Sequence, residues 1–341
     1  MTKIFIAGAG GYIGSKMVPY FLEKGYKVIA LDRFYFGDTL SDFKKNKNLI
    51  IVKDDIRTFK KTLLKNCDAI INLASISNDP SSDLDPKTTY QVNYKGAVRL
   101  AKLGKEMGVK KYIFSSSCSV YGESEETANE NSKTNPLTIY AKSKLLAEKD
   151  LLKLADDKFT VTILRLATVF GLSKKRMRFD LIVNIMTLHA WKNKKIFIMG
   201  GGKQWRPLIH IDDVVSAFEK ITTIDEATKI NKKIFNVGNN KQVYQVKQVA
   251  NMFTKFFPDL IIEKAPDDPD HRDYKVTFEK ILKELDYKTE KDIEFGISEI
   301  KQALEKGEIT DELRTNTLWF YQYLIEAEKL LNKVKHKGKL F

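Results

Sequence analysis

Tyr140 and Lys144 stand four residues apart in Tyr140-Ala141-Lys142-Ser143-Lys144, a segment of helical pattern, so their side chains share one helix face. An ammonium beside a phenol favours the phenolate and draws a pKa of about 10 towards neutrality. That suits a group that takes a proton from an alcohol and returns it. Upstream, Ser115-Ser116-Ser117-Cys118-Ser119 follows the apolar strand Tyr112-Ile113-Phe114, which places several hydroxyls at one edge of a sheet. Serines after a strand also serve turns, the plainer reading for Ser115, Ser116 and Ser119. Cys118 has neither a helix N-terminus nor a histidine beside it in the local sequence and reads as packing. His189, His210, His271 and His336 form no metal-ligand spacing, so no metal is expected, and His210 reads as structural.

A second motif gives these residues their setting. Gly8-Ala9-Gly10-Gly11-Tyr12-Ile13-Gly14 follows a first apolar run and opens a helical pattern that continues to Lys24. Glycines there let the backbone turn tightly and approach a pyrophosphate, whose charge the helix N-terminus then meets. A second strand ends at Asp32, where a carboxylate accepts hydrogen bonds from the hydroxyls of an adenosine ribose and opposes a 2′-phosphate. The pattern predicts NAD rather than NADP, with Arg33 the residue that argues the other way.

Strand-like runs at Lys3 to Ala7, Lys27 to Leu31, Leu49 to Val52, Ala69 to Leu73, Lys111 to Ser115 and Val161 to Leu166 alternate with amphipathic segments at Ile13 to Lys24, Pro86 to Gly108 and Tyr140 to Ala155. Successive βαβ units of this kind make an α/β protein with a doubly wound parallel sheet, the Rossmann architecture. It is expected over residues 1–171, with later segments returning to it. Residues 172–310 read as a smaller C-terminal lobe that closes over the carboxyl ends of the strands. Leu318, Trp319, Leu324, Ile325, Leu330 and Leu331 then recur at near-helical spacing, which predicts a packed helix and a basic tail over 311–341.

The 58 Lys and Arg against 44 Asp and Glu, a net +14, are spread along all 341 residues. No basic arm, zinc finger or helix-turn-helix accompanies them, so no nucleic-acid partner is expected. Every apolar stretch is broken by charge before about 18 residues, so no membrane association is expected, and the N-terminus does not read as a signal peptide. Two cysteines cannot build a disulfide framework. A cytoplasmic protein is the expectation.

The glycines also read Gly8-x-x-Gly11-x-x-Gly14. With Ser117, Tyr140 and Lys144 in that order, residues 1 to about 300 resemble the extended short-chain dehydrogenase/reductase family, the nucleotide-sugar epimerases and dehydratases of the UDP-glucose 4-epimerase kind. The resemblance implies a catalytic trio of Ser117, Tyr140 and Lys144, with Ser117 on the reacting sugar hydroxyl. It implies cofactor contacts from Gly8, Gly11, Tyr12, Ile13, Gly14, Asp32, Arg33, the pair Asp55-Ile56, the segment Leu73-Ala74-Ser75, Asn93 and Ser115, as well as Tyr140 and Lys144. For a nucleotide-diphosphate sugar it implies Ser117, Thr168, Arg176, Arg206 and Arg272, the arginines gripping the diphosphate through planar, permanently charged forks. Thr168 stands where the family usually has asparagine.

The family's dehydratases carry an Asp-Glu pair directly after the central hydroxyl; here those positions are Cys118 and Ser119. The reading is therefore an NAD-dependent nucleotide-diphosphate-sugar epimerase working through a transient 4-keto sugar. A 4-dehydrogenase or 4-ketoreductase ranks second and a 4,6-dehydratase third. A non-catalytic NAD(H)-binding regulator comes last, since it has no need of Ser117, Tyr140 and Lys144 together. The resemblance also implies a homodimer, since the family commonly pairs two helices per subunit; here they would be Pro86 to Gly108 and Tyr140 to Ala155, the latter offering Leu145, Leu146, Leu151 and Leu152.

Overall fold

Ile4, Phe5, Ile6 and Ala7 are all fully buried, although successive side chains of a strand point to opposite faces, so the first strand is covered on both sides. A computed structural model of the chain, describing residues 2–265 and 272–340, shows what covers it. The strands are β1 (Lys3–Ala7), β2 (Lys27–Asp32), β3 (Leu49–Lys53), β4 (Ala69–Asn72), β5 (Lys111–Ser117), β6 (Glu123–Ala128), β7 (Thr160–Leu166), β8 (Thr168–Phe170), β9 (Lys195–Met199), β10 (Trp205–His210), β11 (Lys233–Val237), β12 (Val243–Gln245), β13 (Ile261–Ala265) and β14 (Asp273–Val276). The first helices are α1 (Gly14–Glu23), α2 (Asp79–Ser82), α3 (Pro86–Tyr90), α4 (Ala97–Glu106), α5 (Ile139–Leu154), α6 (Ile182–Asn193) and α7 (Ile211–Thr223). They are followed by α8 (Ala227–Ile230), α9 (Val246–Met252), α10 (Glu279–Leu285), α11 (Ile293–Glu305) and α12 (Thr317–Val334).

Seven strands form one parallel sheet in the order β11-β7-β5-β4-β1-β2-β3. The chain builds outward from β1 to β3, then crosses back to β4 on the other side of β1. A crevice for ligands opens at that reversal, above the carboxyl ends of the strands. One face of the sheet buries Ile4 and Ile6 with Val18, Phe21 and Phe218; the other buries Phe5 and Ala7 with Phe59, Phe114 and Leu151. Each large side chain among them contributes about 1.5–3 kcal/mol by leaving water.

The strand expected over Lys111 to Ser115 runs two residues farther, because Ser116 and Ser117 go on pairing with Arg165 and Leu166 of β7. Ser115 and Ser116 are thus strand residues, not turn residues. The expected helix from Pro86 to Gly108 contains a π-helical stretch, Gln91–Gly96, which buries Asn93 completely. On α5, Leu151 is fully buried and Leu145 and Leu152 pack against the two cores, leaving Leu146, at 38 % exposure, as the outward leucine of the four expected at an interface.

After β7 the chain builds a third core from Phe170, Val183, Leu208, Val249, Phe253 and Ile297, and it returns to the main sheet as β11. A three-stranded sheet, β12-β10-β8, places Leu208 beside Thr168. The last helix, α12, is capped by Asn316, which accepts the Trp319 N–H at 3.1 Å. Phe320 and Tyr321 lie against Phe36, with ring centroids 5.4 Å apart in each case. Trp319 and Leu330 do not pack as their spacing suggested: at 57 % and 61 % exposure they face away from the body.

Candidate active site

The register of α5 brings the chemistry to the sheet edge. Thr138 caps the helix by accepting the Ala141 N–H at 3.1 Å, which puts Tyr140 in the first turn. Lys144 and Glu148 follow at four-residue intervals on the same stripe. Lys144 is buried, its Nζ donating to the Ser115 carbonyl at 2.8 Å and lying 5.6 Å from the Tyr140 ring centroid. Ser117, at the end of β5, is half-buried, and its Oγ accepts the Ser119 N–H at 3.1 Å.

The electrostatics differ from the simple expectation. Burial drives the Lys144 ammonium down to about 7, with Glu148 opposing. The Tyr140 phenol is raised above its ordinary value, first by loss of water and then by the charge of Asp79; Arg178 and the Ser117 hydroxyl pull the other way. Lys144 therefore does not draw Tyr140 towards neutrality in this state, since its own charge is costly where it sits and its Nζ is turned to a carbonyl.

Beneath the trio lies a buried clamp. Ser116 donates to Glu148, and Glu148 pairs with Arg165 at 2.6 Å. Arg165 reaches the Tyr121 hydroxyl at 3.0 Å, and Tyr121 donates to Asn236 at 2.7 Å. This chain ties α5 to β5, β7 and β11 and fixes the height of Tyr140 above the sheet. The Cys118 thiol, raised by burial, is fully enclosed and lies 3.3 Å from the Arg165 carbonyl.

The glycine loop sits at the reversal of the sheet. Gly8 has φ +82°, and a Cβ there would meet Ala74 N at 2.6 Å; one on Gly14 would meet the Gly8 carbonyl at 2.3 Å. Those two glycines are demanded by backbone packing. Gly11 and Ile13 stay partly exposed, open to an approaching anion ahead of α1, while the Tyr12 hydroxyl donates to the Gly171 carbonyl at 2.5 Å. Asp32 accepts the N–H groups of Gly10 (3.0 Å) and Phe34 (2.6 Å), which leaves lone pairs on both oxygens for a ribose.

The other expected cofactor residues have more structural company. Arg33 donates to Asp55 at 2.9 Å, and Asp55 is also gripped by Arg57, which holds its carboxyl down at about 2. Ile56 is buried. Asn93 accepts the Ile76 N–H at 2.8 Å and reaches Ser143 at 3.2 Å, pinning the segment after Leu73, Ala74 and Ser75 to α5. Ala74 packs on Gly8 and Asp32 holds Gly10, so these segments border the glycine loop, and their donors and acceptors fit a dinucleotide.

On the substrate side, Arg206 donates to the carbonyls of Trp205 and Arg272, and Arg272 pairs with Asp79. Asp79 also accepts from Thr138, so one carboxylate joins the lobe to the cap of α5. Arg178 pairs with Asp180 at 2.9 Å and reaches Ser77 at 3.3 Å; Asn78, at φ +73°, donates to Asp180 at 2.8 Å. Arg176 turns to other partners, the Met177 carbonyl and the Thr317 hydroxyl. Thr168 is half-buried in β8. His210 is structural: its Nδ1 accepts the Asp212 N–H at 3.2 Å, so Nε2 carries the proton given to Glu299 at 2.7 Å. Asp270 and His271 lie outside the described residues.

Asp79, Asp180 and Tyr274 were not singled out from sequence. Asn78-Asp79-Pro80 does carry a signal, a cap residue followed by proline, for the short helix that holds Asp79. Tyr274, buried where it feels the charges of Arg272 and Arg206, carried none. No group of three or more His, Cys, Asp or Glu that could hold a metal occurs among the described residues.

A glycine loop at the switch point of a parallel sheet, with Ser, Tyr and Lys at its carboxyl edge, defines a dinucleotide-dependent enzyme of the short-chain dehydrogenase/reductase kind. Residues 4–238 match the model of the NAD dependent epimerase/dehydratase family, and the chain belongs to that family. It is 30 % identical over 260 residues to the uncharacterized UDP-glucose epimerase YtcB of Bacillus subtilis, covering 73 % of this chain and 80 % of that one. The UDP-glucuronate 4-epimerase of Thermodesulfobacterium geofontis is 27 % identical over 318 residues, 87 % of this chain and 94 % of its own. In fold it is similar to the UDP-glucuronic acid 4-epimerase from Bacillus cereus, solved with UDP-glucuronic acid and NAD, at TM-score 0.80, 22 % identity and coverage of 89 % and 99 %.

Proposed function

We propose that the protein is a nucleotide-diphosphate-sugar 4-epimerase acting through a transient 4-keto sugar. One observation carries this reading. Ser117, Tyr140 and Lys144 converge at the sheet edge, while the positions after Ser117 hold an enclosed thiol and a serine instead of carboxylates that could eliminate water. The carboxylate that does act on Tyr140, Asp79, is engaged by Arg272 and Thr138.

NAD, when bound against Gly11, Ile13 and Asp32, supplies the acceptor and later the donor of a hydride. Tyr140 takes the proton from the sugar 4-hydroxyl, which Ser117 orients, and returns it after the sugar has turned over. Lys144 holds the Ser115 carbonyl and, once an anion or phenolate forms nearby, keeps its proton and stabilises that charge. Arg206 and Arg272 hold the diphosphate as the pivot for that rotation, with Thr168 beside the sugar. Relatives carrying epimerase names support the reading. Two subunits pair through the α3–α4 and α5 helices in the same proposal, and a monomeric mass in light scattering at micromolar concentration would count against that pairing.

Incubation with UDP- and dTDP-hexoses, followed by NMR of the products, tests the proposal. C4 inversion with no steady change at 340 nm is expected. Accumulating NADH with a released 4-keto sugar would establish a dehydrogenase instead, and exchange of the C5 hydrogen with solvent a dehydratase.

A further inference from the structure

Arg176 is 3 % exposed, yet among the described residues it forms no salt bridge. Its guanidinium lies 3.6 Å from the centroid of the Phe36 ring. Nη1 donates to the Met177 carbonyl at 2.5 Å, Nη2 to the Thr317 hydroxyl at 2.9 Å, and the buried Nε has no partner. A cation taken out of water is costly unless an anion completes it.

Its position indicates which anion. Its N–H donates to the Ser173 carbonyl at 3.2 Å, and the Ser173 hydroxyl bonds that of Ser15 in the first turn of α1 at 2.8 Å, so it stands close to the start of α1. Phe36, on which it stacks, follows Asp32 by four residues and packs on Phe320 and Tyr321 of α12. Thr317, at the start of α12, holds one nitrogen of the fork and also donates its N–H to Asp180 at 3.3 Å. The arginine is therefore fixed from the C-terminal helix close to the start of α1, where a helix N-terminus already favours negative charge.

We propose that Arg176 is a cofactor-binding residue that meets the pyrophosphate of NAD, with α12 as the brace that holds it there. The diphosphate of the sugar nucleotide, which the family resemblance assigned to Arg176, is left to Arg206 and Arg272. This rests on the NAD dependence of the family and not on the identity of the sugar.

Calorimetric titration of the full-length protein, freed of carried nucleotide, with NAD, ADP-ribose, UDP and dTDP separates the possibilities. Arg176→Gln should weaken NAD and ADP-ribose roughly 10- to 100-fold, the cost of losing a charged hydrogen-bond donor, and leave UDP and dTDP within about twofold. Arg176→Lys should recover part of that loss by restoring the charge, and Thr317→Val should produce a smaller loss of the same kind. Weakened UDP or dTDP with NAD unchanged would return Arg176 to the substrate diphosphate and overturn the proposal. An equal loss for all four ligands, or none, would make Arg176 a packing residue and overturn it too. If Arg176→Gln does not fold, unchanged NAD affinity in Thr317→Val refutes the brace and unchanged affinity in Arg176→Lys refutes the charged contact.

Discussion

Replacing Lys144 by methionine should stabilise the ligand-free protein while abolishing turnover. The ammonium is buried against Phe114 and Ser115, and its pKa falls from 10.5 to about 7. Between those two values the unfolded chain binds a proton that the folded one does not, so wild-type stability rises with pH across that window and is flat below about 7. The full difference is on the order of 4–5 kcal/mol, of which about 2 kcal/mol is relieved between pH 7 and pH 9. Methionine carries no such penalty. It does leave the Ser115 carbonyl without its donor, at about 1–3 kcal/mol, but that loss does not vary with pH. The stability of Lys144→Met relative to wild type should therefore fall by about 2 kcal/mol from pH 7 to pH 9, roughly 3 °C in Tm, read by scanning calorimetry on nucleotide-free protein. A relative stability that stays constant over those two pH units would refute the buried-ammonium account.

Asp32→Ala should weaken NAD about tenfold or more, since the ribose loses its acceptor and Gly10 its anchor, and should improve NADP relative to NAD in calorimetry. A wild type that already prefers NADP would place the choice with Arg33. Glu148→Ala should cost roughly 3–5 kcal/mol in urea unfolding, because it leaves Arg165 buried without its counter-charge. A loss below about 1 kcal/mol would mean that the clamp under Tyr140 carries little of the fold.

Much of the fold can be read in the sequence because burial on both faces leaves unbroken β-branched runs: β1 has the bounds its residues suggest, Lys3 to Ala7. The end of β5 could not be read the same way, since three serines resemble a turn and only pairing with β7 makes them strand. The nearness of Tyr140 and Lys144 was legible because an i, i+4 spacing is local, whereas Ser117 was named only by the family resemblance. What joins Asp79 and Asp180 to the site is contact between distant segments, Asn78 with Asp180 and Arg272 with Asp79, which short-range spacing does not show. The depressed Lys144 was hidden for a related reason: spacing gives its distance from Tyr140 but not the depth of its burial. On α12 the periodicity named the helix, while Phe36, far away in sequence, decided which face packs.

The most direct test of the central claim is turnover of a UDP-hexose deuterated at C4 by wild type and by Tyr140→Phe, followed by NMR. The account predicts that wild type returns the C4 epimer with the deuterium still at C4, and that Tyr140→Phe keeps the fold and bound NAD but loses at least about 10²- to 10⁴-fold in rate. Near-full activity in Tyr140→Phe, or deuterium washed out of C4 into solvent, would contradict it.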